Sequence, residues 1–217
     1  MIGIVARYDG DIVKVPSSLI KIINDYNKTP IILCPTKSYD ENFDCEKIDK
    51  ILKDLDGIII PGGITWSSID SYVLRYAIEN NISALCICLG CQLLGLCDDY
   101  KVEEKLEINS SNINHNSKNK YVHSIFIKED SLLYKIIGKK EIEVNSRHNY
   151  HVNNIIGKVD AYSSDGYIEA LEIEGKKFIL GLQFHPEDMY DDADIKKIFD
   201  SFFKSCEIWL FTFIWYN

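Results

Sequence analysis

The chain has 217 residues, 46% of them hydrophobic, and a formal net charge of -9 at pH 7. This length and hydrophobic content suit one α/β domain with a sizeable core, so we expect residues 1–217 to form a single domain. The negative charge argues against nucleic acid and anionic membrane surfaces as partners.

Apolar strands alternate with helices through the first half of the sequence. The apolar runs predict strands at Met1–Ala6, Thr29–Cys34, Asp56–Ile60 and Ser83–Cys88. Helical periodicity predicts helices at Ser17–Tyr26, Phe43–Leu55 and Asp70–Asn80, with one more helix after the last strand. This alternation is typical of βαβ units. We therefore expect an α/β three-layer sandwich, with a mostly parallel central sheet and helices on both faces.

The second half has a different pattern. Lys101–Lys120 is polar and rich in Asn and Ser, which predicts a long loop with a solvated His115. Short alternating segments then predict antiparallel strands, as one edge hairpin and a return to the main sheet, at His123–Lys128, Glu141–Asn145, Ile168–Ile173 and Lys177–Phe184. Gly175 marks a hairpin turn between the last two segments. Ala193–Cys206 predicts a closing helix.

The C-terminal segment Ile208–Tyr216 is almost wholly apolar and aromatic. It is too short to span a bilayer as a helix, and the sequence predicts no membrane insertion. We expect this segment to pack on the core or on a partner subunit. Contact with a membrane surface is the alternative.

The segment around Cys88 is typical of a nucleophile elbow. An apolar strand reaches Cys88, Gly90 follows two residues later, and an apolar helical segment begins at once. The residues two before and two after such a nucleophile must be small, and here they are Cys86 and Gly90. The positive end of the helix would favour a thiolate. Cys88 is therefore a candidate nucleophile.

A second motif, His185-Pro186-Glu187, ends an apolar strand. Residues two apart in extended chain face the same way, and Pro186 biases His185 toward extended backbone. Glu187 can then orient the imidazole of His185 while its other nitrogen faces a thiol. Together with Cys88, these residues would form a Cys-His-Glu triad.

A third motif, Pro61-Gly62-Gly63, ends the third predicted strand. Two glycines leave backbone N–H groups free to point into a site. The N–H of Gly63 with that of Leu89 would make an oxyanion hole. On its own, the same pattern also suits an ordinary strand-to-loop turn.

The three motifs, in this order, resemble the class I (triad) glutamine amidotransferases. Their pattern is a Gly-rich oxyanion turn, then G-x-C-x-G-x-Q, then a late H-P-E; Cys88 to Gln92 match the second part. The resemblance implies the flavodoxin-like fold of that family and catalysis through a thioester with no cofactor or metal. It also implies that Gly62 and Gln92 lie at the substrate.

Two further segments narrow the resemblance to the gamma-glutamyl hydrolase and gamma-glutamyl-gamma-aminobutyrate hydrolase-like branch. They are Val144–His148, similar to V-N-S-x-H, and Asp165–Ala170, similar to D-G-x-I-E-A. The resemblance implies that four residues of the first segment lie at the substrate. They are Asn145, Ser146, His148 and Arg147, of which Arg147 would contact a substrate carboxylate.

The sequence also departs from the family pattern. Cys86 stands where Gly is usual, Asn149-Tyr150 replaces a second His or Gln, and Gly63 runs almost directly into the next helix. These departures bear on which substrate is used and not on the reaction chemistry.

Metal binding by cysteine is the rival interpretation of the elbow. Cys86, Cys88, Cys91 and Cys97 lie close in sequence, but no second cysteine pair accompanies them, so we expect no metal and no cofactor. Cys91 and Cys97 are instead expected to be small apolar residues of the core. Seven irregularly spaced cysteines with no secretory signal favour reduced thiols and a cytoplasmic protein.

Three functions fit these residues. The first is a cysteine-dependent hydrolase of gamma-glutamyl amides, with a small-molecule substrate and with a homodimer as one expected assembly. The second is a glutaminase subunit that delivers ammonia to a separate synthase partner. The third is a non-catalytic binding protein on this fold, against which the complete triad argues.

Overall fold

A nine-stranded sheet runs through the centre of the computed structural model, which describes residues 1–9, 11–34, 44–98, 101–102, 106–108, 111–152 and 156–207. The strands in chain order are β1 (Ile2–Val5), β2 (Arg7–Asp9), β3 (Ile12–Lys14), β4 (Pro30–Leu33), β5 (Gly57–Ile60), β6 (Ser83–Ile87), β7 (Cys97–Asp98), β8 (Lys101–Val102), β9 (Leu106–Glu107), β10 (His123–Ile127), β11 (Glu141–Val144), β12 (Tyr150–His151), β13 (Lys158–Ser163), β14 (Ile168–Glu172) and β15 (Ile179–Leu182). The main sheet has the order β11-β10-β13-β14-β15-β6-β5-β1-β4.

Half of this sheet is a parallel core. The strands from β4 to β15 in that order pair in parallel, and β1, β5, β6 and β15 are buried along their whole length. Burial on both faces explains their continuous apolar sequences. The strands β14, β13, β10 and β11 extend the sheet in antiparallel pairs. Only β10 and β14 run against the other seven strands of the main sheet, so the predicted mostly parallel sheet is confirmed.

Six helices cover the two faces in the described part of the chain: α1 (Ser17–Asp25), α2 (Cys45–Leu52), α3 (Ser68–Glu79), α4 (Leu89–Leu96), α5 (Leu132–Ile137) and α6 (Ala193–Ser205). Buried side chains of α1, α5 and α6 belong to one hydrophobic cluster with one face of the sheet. Those of α2, α3 and α4 belong to a second cluster. The three-layer sandwich is therefore confirmed.

Helix boundaries follow the caps. The helix α2 spans fewer residues than predicted. It begins after Asp44, whose side chain caps the helix by accepting a hydrogen bond from the Lys47 N–H, and it ends at Leu52. The helix α3 begins two residues earlier than predicted, because Ser67 and Asp70 form a capping box.

Three predictions about the irregular regions were incomplete. The single edge hairpin is wrong, because β13 adds a fourth antiparallel strand. The helix α5 and the β2–β3 hairpin were not predicted. The polar segment before β10 is not a free loop, since β9 pairs with β12 and Asn116 bridges to Arg147. The apolar segment Ile208–Tyr216 lies outside the described residues. Among the residues described, the longest helices are too short or too polar to cross a membrane.

Candidate active site

Cys88 lies in a strained turn between β6 and α4. Its φ is +50°, a left-handed conformation that is uncommon outside glycine. The turn is held because the Cys88 N–H donates to the Leu182 carbonyl at 2.7 Å and the Gln92 N–H donates to the Cys88 carbonyl at 3.0 Å. A Cβ on Gly90 would lie 2.2 Å from the Ile60 carbonyl oxygen. The close approach of backbones that the elbow motif predicts is therefore present.

His185 and Glu187 lie beside this turn as predicted. The Nδ1 of His185 is 2.7 Å from Oε1 of Glu187, and the Cys88 side chain lies close enough to the imidazole to raise its pKa. Burial acts to lower the pKa of His185, but the hydrogen bonds and charges of Cys88 and Glu187 raise it to about 10. Thiol, imidazole and carboxylate thus form one line of contacts, which can carry a proton from sulfur to nitrogen.

The Gly62-Gly63 turn at the end of β5 lies against these residues. A Cβ on Gly62 would be 2.6 Å from His185 Cε1 and 3.4 Å from the Cβ of Cys88. A Cβ on Gly63 would be 3.1 Å from Leu89 Cδ2. Gly63 and Leu89 are therefore neighbours, as a shared oxyanion hole requires.

Arg7 forms hydrogen bonds with the backbone of this turn, a role that the sequence did not predict. Its Nη2 donates to the Pro61 carbonyl at 2.6 Å and its Nε to the Gly62 carbonyl at 3.1 Å. Its Nη1 pairs with Asp70 at 2.5 Å, and both side chains are buried. Asp70 also accepts from the N–H and hydroxyl of Ser67. The start of α3 and the glycine turn are thus joined through one guanidinium group.

Gln92 lies beneath the nucleophile. It is 2% exposed, and its Nε2 donates to the Tyr150 carbonyl at 2.8 Å and to Gln183 Oε1 at 3.2 Å. Gln183 in turn places its Nε2 3.7 Å from the Cys88 sulfur. These contacts support the elbow, and the predicted substrate contact of Gln92 stays a prediction.

The Val144–His148 segment is mostly buried. The Asn145 side chain forms two hydrogen bonds with the backbone of His185, and Ser146 lies within hydrogen-bond distance of His115. His148 is buried, whereas Arg147 is exposed and pairs with Asp188. The structure thus brings this segment to the triad as predicted. The contacts of its side chains are with other groups of the protein. The substrate-binding roles of Asn145, Ser146, Arg147 and His148 stay predictions.

The Peptidase C26 family profile matches residues 65–187, a span that includes Cys88, His185 and Glu187. The chain belongs to the Peptidase C26 family. This membership identifies a hydrolase of amide bonds within the class I glutamine amidotransferases. The gamma-glutamyl hydrolase branch is not specifically supported by the match.

Sequence relatives of this Peptidase C26 chain include CTP synthases. That of Staphylococcus carnosus is 31% identical over 191 residues, which cover 74% of this chain and 35% of the relative. That of Sulfurisphaera tokodaii is 33% identical over 172 residues, covering 65% and 32%. The chain therefore spans about a third of the length of these CTP synthases.

Solved structures share the fold of this Peptidase C26 domain. The glutaminase domain of Trypanosoma brucei CTPS with bound acivicin superposes with a TM-score of 0.70 at 21% identity, covering 96% of this chain and 95% of that one. A glutamine amidotransferase from Thermotoga maritima gives 0.56 at 15% identity, covering 95% and 89%. These likenesses confirm the predicted flavodoxin-like fold of class I glutamine amidotransferases.

A cavity of about 500 Å³ opens on the Arg7 side of the glycine turn. Its lining includes Arg7, Lys14, Gly62, Gly63 and Thr65, but neither Cys88 nor His185. Both glycines of the turn line this cavity, but an added Cβ would lie nearest to His185 on Gly62 and nearest to Arg7 on Gly63.

Two predictions about single side chains have opposite outcomes. Cys91 is buried and uncharged, because burial raises the pKa of its thiol well above the ordinary value. Its prediction as a small apolar core residue is confirmed. The prediction of a solvated His115 is wrong, because that ring is 3% exposed and contacts two other histidines. The side chain of Cys97 lies outside the described residues.

Proposed function

We propose that this domain is a cysteine-dependent glutaminase that releases ammonia from the γ-amide of glutamine for a synthase partner. The observation that carries the proposal is the contact of Cys88, His185 and Glu187 beside a glycine turn. The likeness to CTP synthases, of which the chain spans about a third, supports a glutaminase working with a synthase.

The reaction would use these groups in order. His185, oriented by Glu187, holds the proton of the Cys88 thiol in a thiolate–imidazolium pair, and the thiolate sulfur attacks the γ-carbonyl carbon. The N–H groups of Gly63 and Leu89 stabilise the resulting oxyanion. His185 then gives its proton to the departing nitrogen, which leaves as ammonia. Water, deprotonated by His185, hydrolyses the γ-glutamyl thioester and restores the thiolate–imidazolium pair. These steps need no metal and no cofactor.

A second candidate is a free-standing hydrolase of γ-glutamyl amines. The segments Val144–His148 and Asp165–Ala170 favour it, because they resemble that branch in sequence. The chemistry at Cys88 would be the same, and the leaving group would be an organic amine rather than ammonia. A homodimer would suit this candidate, and a synthase partner would suit the first.

A substrate panel separates the two candidates. The purified protein is supplied with glutamine and with γ-glutamyl amines, alone and with a candidate synthase, and ammonia or free amine is measured. Activity on glutamine that rises with the synthase supports the glutaminase, and amine release without a partner supports the hydrolase. A glutamine-like chloroketone should label Cys88 in both cases. The Cys88→Ala variant should be inactive and unlabelled, whereas Cys45→Ala, which removes an exposed thiol, should behave as wild type.

A further inference from the structure

Three histidines converge on one buried carboxylate, apart from the triad. We call His115, His123, His148 and Glu169 the histidine cluster. The distances to Glu169 Oε1 are 3.6 Å from His115 Nδ1, 3.6 Å from His123 Nε2 and 3.7 Å from His148 Nε2. Glu169 is wholly buried, and no histidine of the cluster is more than 8% exposed.

The outward nitrogens of the three rings fix where their protons lie. His115 Nε2 is 2.9 Å from Asp165 Oδ2, His123 Nδ1 is 3.1 Å from the Ser124 carbonyl, and His148 Nδ1 is 3.0 Å from the Tyr150 carbonyl. Carboxylate and carbonyl oxygens only accept, so each outward nitrogen must donate. A neutral imidazole then has a lone pair on the other nitrogen, and in all three rings that nitrogen faces Glu169.

With the three rings neutral, the described part of the chain places no positive group at the centre of the cluster. Among the described residues, the inward nitrogens of His123 and His148 and both oxygens of Glu169 have no hydrogen-bond partner. The nearest donor is the Ser146 hydroxyl, 3.2 Å from His115 Nδ1. Burying hydrogen-bond acceptors without donors costs folding free energy, and the cost is larger for a carboxylate that faces three nitrogen lone pairs. A bound cation would satisfy all four groups at once, whereas a single proton would satisfy one pair of atoms.

The dimensions fit a metal ion. Zinc binds nitrogen and oxygen ligands at about 2.0–2.2 Å in a tetrahedron, which places neighbouring ligand atoms about 3.3–3.6 Å apart. The three nitrogen-to-oxygen distances are close to this range, and the ligand atoms of His115, His123 and Glu169 all lie within 4.8 Å of one another.

We infer that the histidine cluster binds a divalent transition metal, zinc above all, through His115, His123, His148 and Glu169. Four protein ligands leave no open position, which is the arrangement of a structural rather than a catalytic zinc. Asp165 holds His115 from the far side, as carboxylates commonly do behind a metal-binding histidine. The sequence predicted no metal, because the cysteines form no second pair and His148 was interpreted as a loop histidine near the active site. The four residues of the histidine cluster come from separate segments that the fold brings together.

The ion would link the polar segment that precedes β10 to the residues around His185. His115 lies in that segment, His123 begins β10, and Glu169 lies in β14. His148 follows Asn145 by three residues, and Asn145 holds the backbone of His185. Metal binding would therefore stabilise the part of the chain that positions the catalytic imidazole.

The test measures metal rather than activity. The full chain is purified without added metal, and elemental analysis should find close to one equivalent of zinc. After removal by a chelator, Co²⁺ should bind with the visible absorption of a tetrahedral nitrogen and oxygen site and without a thiolate band. A hundredfold excess of zinc over its dissociation constant should raise the thermal midpoint by about 5–10 °C.

Variants locate the ion. Glu169→Gln and His123→Gln should lose the equivalent of metal and the cobalt absorption. Two matched controls, His151→Gln and His185→Gln, should keep both, because neither ring belongs to the histidine cluster. If the cluster variants fail to fold, the cobalt spectrum of the wild-type protein still decides. The proposal is overturned if the wild-type protein takes up neither zinc nor cobalt, if the metal survives Glu169→Gln, or if the cobalt spectrum shows a thiolate ligand.

Discussion

Asn145 holds both backbone polar groups of His185. Its Nδ2 donates to the His185 carbonyl at 2.8 Å, and its Oδ1 accepts from the His185 N–H at 2.7 Å. No other residue type can offer a donor and an acceptor in the same planar arrangement at this length. The His185 imidazole is therefore placed by a side chain 40 residues earlier in the chain.

We expect Asn145→Ala to impair catalysis without removing any reacting group. Loss of the clamp lets His185 shift relative to Cys88, and a displacement of about 1 Å is enough to lower the rate roughly a hundredfold. The loss should fall on kcat in steady-state glutamine hydrolysis, with a smaller change in KM. Asn149→Ala removes an exposed amide in the same segment and should retain wild-type kinetics. An equal loss of kcat in both variants would contradict the positioning role.

The pH dependence of His185 provides a second prediction. Its pKa is raised to about 10, after burial has been outweighed by Cys88 and Glu187, whereas an unfolded histidine titrates near 6.5. The protonated ring therefore stabilises the fold fully below about pH 6.5 and loses that stabilisation as the pH rises through about 10. We expect NMR to show a His185 imidazolium at pH 8.

Glu187→Gln should lower that pKa, because it removes a hydrogen bond and a charge. The loss of unfolding free energy between pH 7 and 10 should also become smaller in chemical denaturation. Asp191→Asn, which removes an exposed carboxylate paired with Lys120, should leave the NMR titration unchanged. A neutral His185 at pH 8 in the wild-type protein would be the contrary result.

The sequence predicted that Cys88, His185 and Glu187 lie together, but not which residues position them. Each of the three lies in a short motif at the end of a strand, so its place follows from strand and turn patterns. Arg7 and Asn145 act through contacts 40–63 residues away in the chain, which no local pattern contains. His115 was predicted to be solvated because its segment is polar, but its partners Ser146, Asp165 and Glu169 come from later parts of the chain. By contrast, helix α5 could have been predicted from Ser131 and Gly138, which cap its two ends.

Two glycines of the site should respond differently to an added methyl group. On Gly62 the new Cβ would meet a side chain, His185 Cε1 at 2.6 Å, so the imidazole must move. On Gly90 it would meet backbone, the Ile60 carbonyl oxygen at 2.2 Å, which cannot move without disturbing the sheet. We expect Gly62→Ala to lose activity while remaining nearly as stable as wild type. We expect Gly90→Ala to lose about 3 kcal/mol or more of unfolding free energy.

Denaturation and steady-state kinetics on the same preparations check these expectations. Gly138→Ala is the control, since no atom lies within 4 Å of its added Cβ and its φ of +76° costs about 1–2 kcal/mol in a residue other than glycine. It should lose a little stability and no activity. If Gly62→Ala is fully active, the imidazole is not confined by the turn.

Arg7 should matter to catalysis through the glycine turn. The guanidinium group binds the Pro61 and Gly62 carbonyls and Asp70 together, and a lysine ammonium at this position can reach Asp70 without holding both carbonyls. We therefore expect Arg7→Lys to fold but to lose kcat and react more slowly with a glutamine-like chloroketone. Arg7→Met leaves the buried Asp70 unpaired and should cost about 3–5 kcal/mol of unfolding free energy. Arg75→Lys, which changes a guanidinium group paired with Glu79 of the same helix α3, is the control and should keep wild-type kcat and chloroketone reactivity. If Arg7→Lys keeps wild-type kcat, the turn holds its shape without the guanidinium group and the oxyanion site does not depend on it.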